Sequence, residues 1–165
     1  MMPYMSTMTP YATMPAGIVF PPDLEPDRLN AFQDLLRALG GTLDVRSVFR
    51  QVSRIATRII PHDEAALALL TEDGAIFRLF ASTQADGAPK LCCAGEHDAV
   101  CDPLTPAVFR HPDNLLGFQS GLRVPVHIDG SPVGVLALLS NDIHTYTDQD
   151  LTLAEFLADF VAVAL

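Results

Sequence analysis

Gly121-Leu122-Arg123-Val124-Pro125-Val126, then Asp129-Gly130, then Val133-Gly134-Val135-Leu136-Ala137-Leu138, is the stretch that decides the fold. Two runs of strand composition joined by Asp-Gly spell a β-hairpin, because Asp-Gly supplies the positive φ angles that a tight two-residue turn requires. The continuation Tyr146-Thr147-Asp148-Gln149-Asp150-Leu151 opens a helix. Thr147 is its N-cap and Asp150, three residues on, its capping-box partner. Leu151, Ala154, Leu157, Val161 and Ala164 share one helical face, with Phe160 beside it. The helix reaches Leu165 without a C-cap signal, which predicts that it continues into a longer protein.

Working back from the hairpin, Ala65 to Leu70 is apolar on both faces and reads as a central strand covered above and below. Glu72-Asp73-Gly74 turns it into a partner strand, Ile76 to Ala81. Before these come two helices. Leu29, Phe32, Leu35, Leu36 and Leu39 recur at helical spacing and stop at Gly40-Gly41. Val45, Val48, Phe49, Val52, Ile55, Ala56 and Ile59 form a second apolar stripe, capped by Thr42 or Asp44 and ended before Pro61. Residues 83–122 read as a long irregular segment, with a short helix around Pro106 to Phe109 and an edge strand near Leu91. Residues 1–26 hold all five methionines among Pro, Thr and Tyr and lack any period, so they read as a flexible leader before a domain over 27–165.

The 165 residues suit one domain, and 49% hydrophobic residues can fill a core. A net charge of −10 argues against nucleic-acid binding through this domain, since phosphate contact needs a basic face. No apolar run approaches the roughly 20 residues that span a bilayer, and the N-terminus lacks a secretory pattern. Cys92, Cys93 and Cys101 are an odd, clustered set, a poor disulfide framework that fits a reducing compartment. The expectation is a cytoplasmic protein without membrane contact.

The order helix, helix, hairpin, long loop, hairpin, helix resembles the GAF domain family. The resemblance rests on Thr42-Leu43-Asp44, the strand Ala65-Ala66-Leu67-Ala68-Leu69-Leu70, Val124-Pro125-Val126, Gly130, Gly134-Val135-Leu136 and the Thr147/Asp150 pair, and runs from about Leu29 to Leu165. It implies an α+β, PAS-related fold. A central antiparallel sheet of about five or six strands carries the N- and C-terminal helices on one face and a long loop region on the other. It also implies a non-enzymatic sensory or regulatory role in the N-terminal part of a multidomain signalling protein, a transcriptional activator or a histidine kinase. Such domains dimerise through their terminal helices and act on a downstream effector domain of the same chain. The chain has no Cys-His dipeptide of the kind that anchors a bilin, and no clear match to the nucleotide-contacting pattern of phosphodiesterase members. The ligand is therefore an unknown small molecule, and no cofactor is assigned.

Three sets of residues carry possible chemistry. Cys93, His97 and Cys101 are spaced four apart, which on one helical face would suit zinc, and nearby thiols can pair on oxidation. Gly95 and Pro103 break such a helix, so the plainer reading is of small apolar fillers under a loop, with no metal assigned. Arg46, Arg50, Arg54 and Arg58 form an i, i+4 stripe whose leading reading is a plain solvated face. Their mutual repulsion also calls for acids alongside, with Asp148, Asp150, Glu155 and Asp159 the natural candidates and a partner subunit or domain the alternative. His62, His111, His127 and His144 are scattered and read as surface or loop residues. No catalytic constellation appears. The enzymatic alternative is a thiol-dependent GAF-fold reductase of free methionine sulfoxide.

Two expectations close this reading. A cavity between sheet and loop would be lined by Phe80 and Arg123 from the strands and Cys93, His97, Phe109 and Phe118 from the loop. Each terminal helix would keep a second apolar strip, drawn from Leu29, Phe32, Leu35, Leu36, Leu39, Leu157, Phe160, Val161, Ala164 and Leu165, which a homodimer would bury.

Overall fold

The computed structural model describes residues 24–40, 45–72, 74, 77–83, 104–110, 118–143 and 146–165, with the backbone alone for Val45, Ser47, Val48, Phe109 and Arg110. The elements run α1 (Pro26–Gly40), α2 (Val45–Ala56), β1 (Glu64–Leu70), β2 (Phe77–Ser82), β3 (Ala107–Arg110), β4 (Ser120–Ile128), β5 (Ser131–Ser140) and α3 (Asp148–Val163). The sheet is five-stranded and antiparallel, in the order β2-β1-β5-β4-β3.

Local chemistry sets most of these elements. Pro26 starts α1, where its missing N–H costs nothing, and Gly40 ends it. The β4–β5 turn places Asp129 at φ 50° and Gly130 at φ 76°, the backbone that the Asp-Gly pair predicts. Thr147 Oγ1 accepts from the Asp150 amide at 3.2 Å, and the Asp150 carboxylate accepts from the Thr147 amide at 2.9 Å, completing the capping box.

Strand alternation then divides the sheet into two faces. Ala65, Leu67, Leu122, Val124, Val126, Leu136 and Leu138 turn toward the helices and join the main core. The rings of Phe32 on α1 and Phe160 on α3 lie 5.4 Å apart, and Phe156 meets Phe32 edge-on at 6.5 Å. Phe32, Leu35, Leu39, Leu157, Phe160 and Val161 are all buried within the chain. The second strip expected on each terminal helix is thus largely spent on the other helix. The exposed large apolar side chains among the described residues are Ile128, Ile143, Val163 and Leu165.

Two local expectations change. Ala107–Arg110 is a strand paired with Ser120–Arg123, where the sequence predicts a short helix. Pro106 suits a helix start and a strand entry equally, and pairing with β4 decides between them. The leader, the N-cap of α2 and the strand near Leu91 lie outside the described residues. The acid facing the arginine stripe is Asp34 of α1, at 2.8 Å from Arg58 and 3.1 Å from Arg37, and not the acids of α3. The reason is placement: α2 packs beside α1 and β2, while α3 lies over β4. Asp150 serves its own cap and meets Arg28 at 4.0 Å.

Gly134 has a steric reason to be glycine. A Cβ there would stand 2.4 Å from the Ala68 carbonyl oxygen on the neighbouring central strand, a backbone atom that cannot swing aside. Gly134→Ala is expected to lower stability by about 1–3 kcal/mol, the usual cost of forcing atoms into a packed site, read as a lower urea midpoint.

Candidate functional site

The helix side offers no room for a ligand: the void among Leu35, Phe49, Leu136 and Phe160 measures about 10 Å³, the lower limit for one water. The opposite face is different in chemistry. Ser82, Ala66, Ala137, Arg123 and Ala107 lie in register across all five strands, and Glu64, Leu139, Gly121 and Phe109 form the next row. Ala66, Ala137 and Gly121 share the middle of this face with Leu139, all four buried, between a carboxylate and hydroxyl on β1 and β2 and a guanidinium on β4. With strands about 4.8 Å apart and residues rising about 3.4 Å, the Cα atoms of Glu64 and Arg123 stand about 12 Å apart.

Glu64 is only 3% exposed. A carboxylate so placed needs hydrogen bonds to offset its lost hydration, and the Ser82 hydroxyl donates one to Oε1. Thr83, next in the chain, accepts from the Ala65 amide at 3.0 Å, which ties the end of β2 to the start of β1. Phe118 is buried on the same face against Leu139.

The corner before Glu64 is held by a polar cluster. His62 Nδ1 lies 2.7 Å from the Ile60 carbonyl, which can only accept, so Nδ1 carries the proton. Nε2 is then free to accept from Ser53 Oγ of α2 at 2.9 Å. Asp63 accepts from Ser140 Oγ at 3.0 Å and the Asn141 amide at 2.7 Å. The Tyr146 hydroxyl donates to the Pro61 carbonyl at 2.8 Å. Burial, with Asp63 and Asp150 nearby, pushes that phenol up to about 12, so it remains a donor. His62, expected as a surface or loop residue, is instead a buried joint between α2 and β1.

Of the six residues expected to line a cavity, Arg123 and Phe118 share this face. Phe109 is in register with Gly121 in the adjoining row. Cys93 and His97 lie outside the described residues. Phe80 is on the other side. The β1–β2 register shifts between Leu67 and Ala68, making Phe80 the extra residue of a bulge, and both Phe80 and Ala81 pack toward the helix-side core. Its ring lies under the Arg46 guanidinium, 4.2 Å from the centroid. Glu64 and Ser82 are the residues that sequence reasoning missed. The signal for Glu64 was a lone carboxylate opening an otherwise apolar strand.

Burial lowers the pKa of His62, against opposing pulls from its bond to the Ile60 carbonyl and from Asp63 and Glu64. The unfolded chain then binds more protons between the lowered folded value and about 6.5, so stability is full above that range and falls as pH drops through it. Urea melts between about pH 5 and 7 should show this loss, at most about 1.4 kcal/mol per pH unit, and His62→Gln should remove it.

Known proteins can be set beside this geometry. A family model described as GAF domain matches residues 42–165. Among solved structures, the GAF domain of a phosphoenolpyruvate-protein phosphotransferase from Coxiella burnetii superposes with a TM-score of 0.65 at 13% identity, covering 84% of this chain and 92% of its own. The GAF domain of a two-component sensor histidine kinase from Bacillus halodurans gives 0.58 at 16%, covering 74% and 94%. A free methionine-R-sulfoxide reductase from Neisseria meningitidis, solved with its substrate, gives 0.64 at 15%, covering 83% and 87%. At these identities the likeness is one of fold. A sequence search of curated proteins finds no match.

Proposed function

The chain belongs to the GAF domain family, and from that premise we propose that it is a non-enzymatic sensory domain that binds a small polar molecule on the face of its sheet opposite the described helices. The observation that carries this reading is the row Ser82, Ala66, Ala137, Arg123, with Glu64 beside it. Ala66 and Ala137, both buried, put little side-chain bulk between Arg123 and Glu64. Arg123 offers a planar fork suited to a carboxylate or phosphate. Glu64 and Ser82 supply hydrogen-bonding groups at the far side. Phe118 adds an apolar wall. Pockets of this kind combine a mostly apolar lining with a few convergent polar groups.

The protein acts, in this reading, within a cytoplasmic signalling chain, and ligand binding is relayed to an effector domain through a homodimer of its terminal helices. GAF domains of a sensor kinase and a phosphotransferase share its fold, which supports the assignment by analogy. No helix among the described residues is long and apolar enough to cross a membrane. Val163, 79% exposed near the end of α3, and Leu165 are the apolar groups that a helical interface would cover.

A thermal-shift screen of small carboxylates, phosphates and amino acids is the direct test. A ligand that binds at a hundred times below its working concentration raises stability by about 2.7 kcal/mol. That shift should vanish in Arg123→Ala and shrink in Glu64→Gln. Free methionine sulfoxide belongs in the screen with a coupled turnover assay, because turnover lost in Cys101→Ser would replace the sensor by a reductase.

Sedimentation equilibrium tests the assembly. A dimer mass at micromolar concentration, reduced to monomer in Val163→Glu, is the expected outcome.

A further inference from the structure

Five of the chain's ten basic residues line one edge of the domain: Arg46, Arg50 and Arg54 on α2, Arg58 in the turn just past its end, and Arg78 on β2. All five are exposed. Arg58 is paired with Asp34 and Arg46 lies over Phe80. Arg50 and Arg54 have no acidic partner among the described residues. Beside the stripe, at the β2 edge, opens a groove of about 650 Å³ bordered by Arg46, Arg78 and Glu72, with Leu69 and Phe80 as apolar groups on its helix side. Neither Glu64 nor Arg123 lines it.

We propose that this edge docks a short acidic helical segment carrying apolar residues, from another protein or another domain. Charge comes first. The chain carries a net −10, so a concentration of arginines on one edge is the surface that attracts an acidic partner while the rest of the molecule repels it. Like charges at i, i+4 also weaken the helix that bears them, and a docked acid removes that cost. Spacing comes second. Arg46, Arg50 and Arg54 recur at about 6 Å along α2, the interval of carboxylates four apart on a second helix. All five cations are arginines, whose forks pair with carboxylates in two-point fashion. The floor comes third. Leu69 and Phe80 accept aliphatic side chains, which a polyanion made of charge alone does not have. One face of the Phe80 ring is taken by Arg46 and the residue packs onto the core, so it is not an open platform on which a nucleobase stacks. These points favour a peptide over a nucleic acid. The inference stands apart from the ligand reading, because the two surfaces use different residues.

The test is fluorescence anisotropy with a labelled peptide repeating Glu-Leu-Ala-Ala, which as a helix sets a carboxylate stripe beside a leucine stripe. Its glutamine analogue and a single-stranded oligodeoxynucleotide serve as comparison probes. The acidic peptide is expected to bind, with the glutamine analogue at least about tenfold weaker. Arg54→Glu and Arg78→Glu, on different elements, should each weaken binding about tenfold, a lost pair plus a new repulsion. Arg37→Glu makes the same charge change on α1 and should alter binding less than about twofold. Circular dichroism melts confirm that each variant is folded. The proposal is overturned by absence of binding, by equal effects of Arg37→Glu and Arg54→Glu, or by an oligonucleotide that binds more tightly than the peptide through the same arginines.

Discussion

The β1–β5 ladder is the constraint on which the rest of the molecule depends. It pairs Glu64–Leu69 with Gly134–Leu139, segments about seventy residues apart in the chain, so its closure entropy must be met by what the pairing brings together. Side chains do much of this. Asp63 accepts from both Ser140 and the Asn141 amide, and its own amide donates to the Leu139 carbonyl at 2.9 Å. A one-residue slip would break all three and also turn Leu67, Leu136 and Leu138 away from the helices. Gly134 lets the two backbones approach at the other end, next to Ala68.

Once that ladder is in register, the two faces of the sheet have different occupations. The helix face is packed almost solid, with aromatic contacts joining α1 to α3 and a void no larger than a water. The other face carries small residues in the middle and charged or hydroxyl groups toward the sides. Its polar groups are therefore positioned by strands whose places are set by the core beneath them. Rigid elements place a binding group more accurately than loops do, and here Arg123 and Glu64 both sit on strands.

How much of this was legible in the sequence follows from the range of the forces involved. The β4–β5 hairpin, its Asp-Gly turn, the Thr147/Asp150 capping box and the boundaries of α1 were readable because each is written within a few residues. The strand β3 was not, because Ala107–Arg110 has no local preference strong enough to compete with pairing to β4. The partner of the arginine stripe was misjudged for the same reason. Helical spacing says which residues share a face, but only the packed arrangement says that α1, and not α3, lies beside α2. His62 was dismissed as scattered because its partners, Ser53 and Ile60, are ordinary residues whose convergence needs the α2–β1 corner to exist.

The bulge in β2 shows how far one such non-local feature reaches. Plain alternation would put Phe80 on the same side as Ser82, opposite Ala68, in the row next to Ala66 and Arg123. The extra residue between Ala81 and Leu79 turns Phe80 over to the helix side. Ser82 keeps its bond to Glu64, and Arg46 acquires an aromatic surface on the opposite side of the same strand. The three residues Phe80 to Ser82 thus separate the face that carries Glu64 and Arg123 from the arginine edge. Since β2 is an edge strand with β1 as its sheet neighbour, accommodating the bulge disturbs one ladder only. A central strand would have had to break two.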